Sequence, residues 1–347
     1  MLFFARQAGS ARSLTPVIAE VLSGVSDRSS VLVLASNQAA EVWSEAGLLD
    51  SEVGSFADAR EMLGGVEDPT LVVTGTSIEA EDDGAYWDWA RERGVPSIAY
   101  VDSRVNYAER FDGFRFLPDH IAVIDHHVLE QLRDLGAPPS SLRVVGNPAF
   151  DALAHLAQES EVDPEALLWV GEGIATVMWP GGVRPEGLAH IDEEAIFKGL
   201  VESLQGLSPV DRPARLWIAP HPREDVATYE SWLVGADLAS TEVSFVHGGG
   251  TQWAARAGAV VGMNSMLLVE AAQMGVPTMS LQFHEGPVGE VIRDRPGIAV
   301  VRSKEALVVA LTGRLGRPQR GPVIACDDTR RFLEFMSQVG GSFGGGR

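Results

Sequence analysis

The sequence has 347 residues, 45% of them hydrophobic, which is enough chain for two domains with cores of their own. Its formal net charge of -21 excludes a broad basic surface of the kind that binds nucleic acid or anionic lipid nonspecifically. Cys326 is the single cysteine, which excludes an internal disulfide, and no apolar run reaches the roughly 18 residues of a membrane span.

Apolar runs alternate with helical patterns through the first half of the chain. Strands are predicted over residues 1–5, 30–35, 53–56, 70–74, 97–101, 120–124 and 143–145. Helices are predicted over residues 13–22, 37–47, 57–63, 85–93 and 125–135, with another from about 150. This alternation predicts a parallel sheet covered by helices on both faces. The loop predicted at residues 7–12 lacks the full G-x-G-x-x-G fingerprint, so a nicotinamide cofactor is not indicated.

Four carboxylates precede the fourth of these helices, at Glu79, Glu81, Asp82 and Asp83. So many acidic groups in one short segment could bind a hard cation. Such a run more often marks the solvated start of a helix, and we favour this interpretation over a cation site.

The same alternation restarts after a polar segment at residues 159–164, which we interpret as a linker. Strands are predicted over residues 166–170, 215–219, 243–246, 257–261, 278–281 and 297–301, with a further one around 175–179. Helices are predicted over residues 192–204, 252–256, 266–274 and 303–313. We therefore expect domains at residues 1–160 and 165–326, a C-terminal helix at 327–340 and a disordered tail at 341–347.

The segment between the strands predicted at 257–261 and 278–281 combines a turn with a helix. Asn264 and Ser265 are suited to cap this helix, and Gly275 and Pro277 end it. Free main-chain N–H groups at the helix start would face a ligand above the sheet, and Glu270 follows about one turn later. The pattern suits a phosphate and a sugar hydroxyl, but it fits an ordinary strand–helix unit equally well.

Polar and small residues follow the predicted strands in both halves, where the carboxyl edge of a parallel sheet binds ligands. These positions are Gly9 and Ser10, Gly75 to Ser77, Asp102 to Arg104, Asp125 to His127, His221 and Arg223, and Asn264 and Ser265. Two such edges would accommodate a nucleotide-linked donor and an acceptor. We therefore predict an α/β fold with two Rossmann-like doubly wound domains facing across a cleft.

Other enzyme classes have little support in the sequence. The serine-hydrolase motif G-x-S-x-G and the Walker loop are both absent. A metal hydrolase requires a cluster of histidine and aspartate, and Asp125, His126 and His127 form the only compact one in the sequence, but adjacent residues point to different sides of a helix. We therefore expect no metal there.

Three segments resemble the GT-B fold, which many glycosyltransferases share with the non-hydrolysing UDP-sugar 2-epimerases. Residues 118–153, PDHIAVIDHHVLEQLRDLGAPPSSLRVVGNPAFDAL, resemble the end of the N-terminal domain in these families, with its glycine-asparagine-proline turn. Residues 221–224, HPRE, resemble the histidine-proline turn of their C-terminal domain. Residues 262–277, GMNSMLLVEAAQMGVP, resemble their motif for the donor nucleotide.

The resemblance implies roles for the residues that match in the second half. The diphosphate would be bound by Asn264, Ser265 and the main-chain N–H groups of Met266 and Leu267. Glu270 would accept hydrogen bonds from the ribose, the alternative being a solvated helix glutamate.

The resemblance also implies phosphate and sugar contacts elsewhere. His221 and Arg223 would lie beside the phosphates, for which the planar fork of arginine is well suited. The alternative there is a turn packed by its two prolines. Gly9 and Ser10 would let a sugar approach the first loop. The remaining substrate contacts are expected from Gly75, Thr76, Ser77 and Arg104.

A glycosyl transfer with inversion requires a group that takes the proton of the acceptor. Asp102 is the first candidate, because it ends a predicted buried strand at the expected cleft edge. Glu109 and His127 are the second candidates. An aspartate after a strand is also a common helix or turn cap, so a structural role for Asp102 stays open.

The pattern of the epimerase family is incomplete in this sequence. The glycine-aspartate-threonine turn of that family corresponds here to Gly75-Thr76-Ser77, which has no acid. Asp102 and the Glu109–Arg110 pair match later glutamates of the family. Its histidine-arginine-glutamate-asparagine turn is absent, since residues 171–187 hold no histidine.

We therefore expect a glycosyltransferase that uses a nucleotide-diphosphate sugar such as a UDP-sugar, in cell-surface polysaccharide or glycolipid synthesis. A 2-epimerase-like enzyme and a non-catalytic nucleotide-sugar-binding scaffold are the alternatives. The expected partners are the nucleotide sugar and an acceptor, without nucleic acid, and a homodimer is compatible with the sequence. We expect no cofactor and no metal, because the helix start and Arg223 can neutralise phosphate. A cytoplasmic location is expected, because the N-terminus lacks the pattern of a signal peptide.

Overall fold

A computed structural model of the protein describes residues 1–64, 67–78, 80–174, 191–221, 224–238, 240–284, 286–312 and 320–341. The chain divides into two compact units, Met1–Asp151 with Cys326–Arg347 and Ala152–Ala325. The first unit holds a parallel sheet of seven strands and the second a parallel sheet of six. This confirms the predicted α/β class with two Rossmann-like units.

The first unit contains the seven strands that the apolar runs predict. They are β1 (Leu2–Ala5), β2 (Leu32–Ala35), β3 (Ser51–Glu52), β4 (Val72–Thr74), β5 (Ser97–Val101), β6 (His120–Val123) and β7 (Leu142–Val144). They pair in the order β3-β2-β1-β4-β5-β6-β7. Phe3 and Phe4 of β1 point to opposite faces and are both buried, because helices cover both sides of the sheet.

Five helices alternate with these strands. They are α1 (Ala8–Gly24), α2 (Gln38–Glu45), α3 (Phe56–Leu63), α4 (Ala80–Glu92) and α5 (His126–Asp134). The prediction of a loop at residues 7–12 is wrong, because α1 begins at Ala8 and includes Gly9 and Ser10 in its first turn. The third strand is shorter and earlier than predicted, because Ser55 already caps α3.

The predicted solvated helix start at the acidic run is correct only in part. Glu81 is exposed at the beginning of α4, as expected for a solvated helix start. Asp83, in contrast, is only 1% exposed. Burial of this carboxyl group is tolerated because Ser77 donates two hydrogen bonds to it, which are described below.

The second unit contains six described strands, and the strand predicted around residues 175–179 lies outside the described residues. The strands are β8 (Asp163–Val170), β9 (Arg215–Ala219), β10 (Glu242–Phe245), β11 (Ala257–Gly262), β12 (Thr278–Leu281) and β13 (Ile298–Val301). They pair in the order β10-β9-β8-β11-β12-β13. Strand β8 already begins at Asp163, inside the segment that was predicted as a linker.

The described part of the second unit contains six α-helices. They are α6 (Leu153–Glu159), α7 (Glu193–Gly206), α8 (Val226–Trp232), α9 (Gly250–Arg256), α10 (Met266–Gln273) and α11 (Lys304–Leu311). Phe197 of α7 lies 5.3 Å from Trp169 and 5.2 Å from Tyr229 between ring centroids, which places an aromatic cluster in the core. None of the described helices in the chain combines the length and apolar composition that crossing a membrane requires.

The last helix, α12 (Asp328–Gly340), packs on the first unit. Phe332 is fully buried, with its ring centroid 5.3 Å from that of Tyr100. At the helix start, Asp328 accepts a hydrogen bond of 2.8 Å from the main-chain N–H of Asn147. The glycine at position 146 is required here, because a Cβ on Gly146 would collide with the Asp328 carboxylate.

Candidate functional site

Both sheets have the strand order of a doubly wound fold, with the first strand of the unit in the middle. In the first unit β1 lies between β2 and β4, and in the second unit β8 lies between β9 and β11. Connections leave the central strand in opposite directions, so a crevice opens beyond its carboxyl end, where ligands of such sheets bind. Each unit therefore has a crevice of this kind.

The crevice of the first unit lies between the segments that follow β1 and β4. A Cβ on Gly75 would collide with the side chain of Ser10, so the two segments touch. Ser10 Oγ donates a hydrogen bond of 3.3 Å to the carbonyl oxygen of Thr76. A Cβ on Gly9 would collide with the carboxylate of Asp102, which follows β5. The structure thus brings together five of the residues that the sequence proposes for substrate binding and catalysis.

Arg110 connects these residues through its buried guanidinium. Arg110 was anticipated from the sequence only as part of the Glu109–Arg110 pair. Its Nη1 donates to the carbonyl oxygen of Thr76 at 2.8 Å and to Thr76 Oγ1 at 3.0 Å. The same nitrogen lies 3.4 Å from Oδ1 of Asp102. Burial raises the pKa of Asp102 above its usual range, and the guanidinium of Arg110 opposes part of this rise. A carboxyl group with these properties is suited to proton transfer.

A second buried acid lies behind the turn after β4. Oδ2 of Asp83 accepts hydrogen bonds from the main-chain N–H of Ser77 at 2.7 Å and from its Oγ at 2.8 Å. Oδ1 of Asp83 is buried without a hydrogen-bond partner among the described residues. Burial raises the pKa of Asp83 to about 7, although the bonds from Ser77 lower it. The turn Gly75-Thr76-Ser77 contains no acid, but Asp83 of α4 places a carboxyl group beside it.

The other candidates of the first unit are less closely associated with this crevice. Glu109 is exposed. Arg104 is 7% exposed, and its Nε donates a hydrogen bond of 2.9 Å to Oδ2 of Asp125. Oδ1 of Asp125 accepts from the N–H of Val128 at 3.0 Å and so caps α5. His127 lies in the first turn of that helix and is partly buried.

The crevice of the second unit lies between the segments that follow β8 and β11. Ser265 is the N-cap of α10, and its Oγ accepts the N–H of Leu267 at 3.2 Å. From the neighbouring strand β12, Ser280 Oγ donates to the carbonyl oxygen of Met263, and Gln282 Nε2 donates to the same oxygen at 2.9 Å. These bonds fix the turn before α10 and the direction of its N–H groups.

A carboxyl group of the protein itself occupies this turn. Oε1 of Glu172 accepts from the main-chain N–H of Met263 at 3.2 Å and also from that of Asn264. We call these two N–H groups the amide corner. Burial raises the pKa of Glu172 to about 8, and the negative charges of Glu193 and Glu224 add to the rise. Glu172 is partly exposed as a residue, but its carboxyl group is desolvated.

Two further glutamates and a tyrosine hold the segments around Glu172. Glu193 is 1% exposed and accepts hydrogen bonds of 2.8 Å from the N–H groups of Glu172 and Ile174. The hydroxyl of Tyr229 donates to Glu224 at 3.0 Å and lies 3.3 Å from Glu193. Glu193 of α7 therefore fixes the main chain at residues 171–174 independently of the conformation of the Glu172 side chain.

His221 lies beside the segment 171–174 that follows β8. Its main-chain N–H donates a hydrogen bond of 2.8 Å to Glu224 Oε2. Its side chain comes within 3.3 Å of the position that a Cβ on Gly173 would take, and Gly173 has a positive φ of 67°. Arg223, the other residue proposed for this turn, lies outside the described residues.

Glu270 is oriented by the helix that precedes β11. Its Oε2 accepts a hydrogen bond of 2.6 Å from Thr251 Oγ1 in the first turn of α9. Gly250 precedes Thr251, and a Cβ there would lie 3.0 Å from the side chain of Leu267. The glycine-rich start of α9 therefore lets that helix begin close to the N-terminus of α10, with the Glu270 carboxylate between them.

One group of metal-ligand types occurs in the described part of the chain. Asp151, Cys326 and Asp328 offer ligand atoms that lie within 4.8 Å of one another. The two carboxylates already have main-chain partners: Asp151 accepts from the N–H of Asp328 at 3.0 Å and from that of Thr329 at 2.8 Å. These bonds cap α12, so the group has a structural role.

The sequence prediction did not include Glu172 and Glu193, and it assigned Asp83 to a solvated helix start. A signal for Glu172 was present, because it stands between two glycines directly after a predicted buried strand. Asp83 belongs to the acidic run, where helix geometry alone does not distinguish the one buried carboxylate from its solvated neighbours.

Comparisons with known proteins give matches only at the level of structure. A scan against protein-family models finds no match, and a search of curated proteins finds none either. The UDP-GlcNAc 2-epimerase from Methanocaldococcus jannaschii is 15% identical, with a TM-score of 0.67 over 97% of this chain and 99% of that chain. The UDP-GlcNAc 2-epimerase from Neisseria meningitidis, bound to UDP-GlcNAc, is 13% identical with a TM-score of 0.61 over the same shares.

A glycosyltransferase of known structure matches equally broadly. The lipopolysaccharide outer core galactosyltransferase WaaB is 13% identical, with a TM-score of 0.60 over 97% of this chain and 99% of that chain. At such identities the similarity concerns the fold, and the same fold carries both reactions in these proteins. The resemblance that the sequence motifs indicate is thereby confirmed: the chain has the GT-B fold.

Proposed function

We propose that the protein binds a nucleotide-diphosphate sugar in the crevice of its second unit and transfers the sugar to an acceptor. The observation that supports this most directly is the amide corner in the turn between β11 and α10, at the switch point between β8 and β11. Two adjacent main-chain N–H groups directed at one point suit a phosphate oxygen. The carboxylate of Glu270, already oriented by Thr251, suits the hydroxyl groups of a ribose.

The first unit offers the base that such a transfer requires. The bond between the anomeric carbon and the diphosphate oxygen breaks, a bond from the acceptor oxygen forms, and the acceptor proton leaves. We assign this proton to Asp102, whose position is fixed by Arg110 at 3.4 Å and by the lack of a Cβ on Gly9. Its raised pKa makes the carboxylate a stronger base than an ordinary aspartate.

Epimerisation at C2 of a UDP-sugar is the second candidate. It is supported by the structural similarity to UDP-GlcNAc 2-epimerases, with a TM-score of 0.67 for the enzyme from Methanocaldococcus jannaschii. The buried acid Asp83 beside Ser77 also favours it, because epimerisation removes a proton from carbon and returns one. A scaffold that binds the nucleotide sugar without turnover is the third candidate.

Calorimetric titration with UDP, CDP, GDP and their sugars tests the proposed ligand class. We expect the wild type to bind at least one of them and Glu270→Ala to bind it about tenfold more weakly, as loss of a charged hydrogen bond predicts. Glu230→Ala, which removes an exposed glutamate of α8, is the matched control and should bind as the wild type does. If none of the nucleotides binds, the proposal is wrong.

Product analysis then separates the three candidates. A transferase releases the nucleoside diphosphate only when an acceptor is present, and Asp102→Asn should abolish the release. An epimerase incorporates deuterium from heavy water at C2 of the sugar without an acceptor. A scaffold binds the nucleotide sugar and gives neither product.

A further inference from the structure

The amide corner is not available to a ligand while Glu172 occupies it. Each main-chain N–H group donates one hydrogen, and those of Met263 and Asn264 are both directed at Oε1 of Glu172. A phosphate oxygen can take these two donors only after the carboxyl group has left. The carboxyl also faces Glu193 and Glu224, so a diphosphate placed beside all three glutamates would meet negative charge.

We propose that Glu172 is an internal competitor for the diphosphate: it fills the amide corner in the free protein, and a nucleotide sugar binds by displacing it. This inference rests on the proposed function and adds a residue that controls affinity. The ligand class that it selects is an anion with a diphosphate group, because a charged phosphate oxygen accepts stronger hydrogen bonds from these donors than a neutral sugar hydroxyl does.

The geometry around Glu172 allows its side chain to leave without moving the main chain. Glu193 accepts the N–H groups of Glu172 and Ile174, each at 2.8 Å, and so anchors the turn from α7. A glutamate side chain has three rotatable bonds, and Glu172 is partly exposed, so rotation can carry its carboxyl group to solvent. Displacement then costs the two hydrogen bonds that the diphosphate replaces.

The consequence is a reduced apparent affinity for the nucleotide. When a binding-competent state is only a fraction of the population, the apparent dissociation constant rises by the reciprocal of that fraction. Two net hydrogen bonds hold the closed state, which corresponds to an open fraction on the order of one tenth or less. Removing the Glu172 carboxyl group should therefore strengthen nucleotide binding.

The test is calorimetric titration of UDP, CDP and GDP into the wild type, Glu172→Ala and the control Glu230→Ala. We expect Glu172→Ala to bind the nucleoside diphosphate about tenfold more tightly than the wild type. Glu230→Ala, which removes one negative charge from the same unit, should stay within about twofold. Binding by Glu172→Ala that equals or is weaker than that of the wild type overturns the inference.

The outcomes distinguish this inference from the proposed function. If the wild type binds a nucleotide and Glu172→Ala binds no more tightly, the inference is wrong and the proposed ligand class stands. If neither protein binds any nucleotide, both are wrong. If thermal unfolding reveals that Glu172→Ala is not folded, Glu172→Gln takes its place, since it keeps the size and an acceptor oxygen. At about pH 9 the neutral amide of Glu172→Gln should compete less with the nucleotide than the wild-type carboxylate does. Tighter nucleotide binding by Glu172→Gln than by the wild type supports the inference, and equal binding overturns it.

Discussion

Asp102 and Arg110 form a largely buried pair, with 3.4 Å between Oδ1 of the carboxylate and Nη1 of the guanidinium. The same nitrogen donates to both oxygens of Thr76, so Arg110 links the segments that follow β4 and β5. Removing Arg110 leaves the Asp102 carboxylate without its cation and leaves the Thr76 carbonyl with Ser10 Oγ, at 3.3 Å, as its remaining donor. The pair therefore contributes to stability as well as to the position of the proposed base.

Replacing Arg110 by methionine should destabilise the protein by about 3 kcal/mol, since the Asp102 carboxylate loses its cation and Thr76 loses two hydrogen bonds from the guanidinium. The free energy of unfolding from urea denaturation measures this. Arg115→Met is the matched control, because Arg115 is in the same segment with a side chain that is 69% exposed, and it should cost no more than about 0.5 kcal/mol. Equal losses in the two variants would show that the buried pair does not form.

Titration of Asp83 should make the free energy of unfolding depend on pH, and Asp83→Asn should remove this dependence. Burial raises the pKa of Asp83 from 3.8 to about 7, so the folded state prefers the protonated form. The resulting stability is complete below pH 3.8 and is lost as the pH rises through about 7.

The free energy of unfolding of Asp83→Asn relative to the wild type should therefore increase by about 1.4 kcal/mol per unit between about pH 5 and pH 7. Urea denaturation at several pH values measures the difference. Glu81→Gln, an exposed position on the same helix, should give a difference that is nearly independent of pH. A flat difference for Asp83→Asn contradicts the burial of its charge.

Gly146 and Gly136 form a matched pair of glycines with positive φ, of 90° and 104°. A Cβ on Gly136 would meet nothing within 4 Å, whereas one on Gly146 would collide with the Asp328 carboxylate. Gly136→Ala should cost about 1 kcal/mol through backbone strain alone. Gly146→Ala should cost at least about 2 kcal/mol more, because Asp328 must release the N–H of Asn147. Equal costs in thermal or urea unfolding would be inconsistent with this packing of α12.

Nucleotide affinity should fall as the pH rises through the pKa of Glu172, which is about 8. The ionised carboxylate holds the amide corner more strongly than the neutral acid does, and it repels the diphosphate. Burial keeps the pKa of Glu172 high, and the charged groups around it, Glu193 of α7 and Glu224 after β9, are acidic and add to the rise. Calorimetry with a nucleoside diphosphate between about pH 7 and pH 9 should give weakening for the wild type and a smaller change for Glu172→Gln. If the nucleotide affinities of the wild type and of Glu172→Gln change equally with pH, the proposed role of the Glu172 carboxyl group is contradicted.

Much of the fold could be predicted from the sequence, because buried parallel strands are short apolar runs with glycine and proline between them. Strand β12, at Thr278–Leu281, coincides with its prediction. The start of α1 was missed because Gln7, its N-cap, makes no side-chain capping bond, and the glycine and serine that follow are typical of loops. Helix α8 was missed as well, although its N-cap is a typical one, in which the Asp225 side chain accepts a hydrogen bond from the N–H of Ala227.

The composition of the two crevices could be predicted less well, because it depends on which strands are neighbours. Glu172 reaches residues 263 and 264 because β8 pairs with β11, across about ninety residues of sequence. No local pattern contains that pairing. The placement of Ser265 as the cap of α10 was correct, since a cap is decided by the residues next to it.

The central claim is that the amide corner binds the diphosphate of a nucleotide sugar. A crystal structure of the protein with UDP-GlcNAc or another nucleotide sugar that binds in calorimetry tests it most directly. We predict phosphate oxygens within hydrogen-bond distance of the main-chain nitrogens of Met263 and Asn264, with the Glu172 carboxyl group displaced. A nucleotide bound elsewhere, with Glu172 still on these two nitrogens, would contradict the claim.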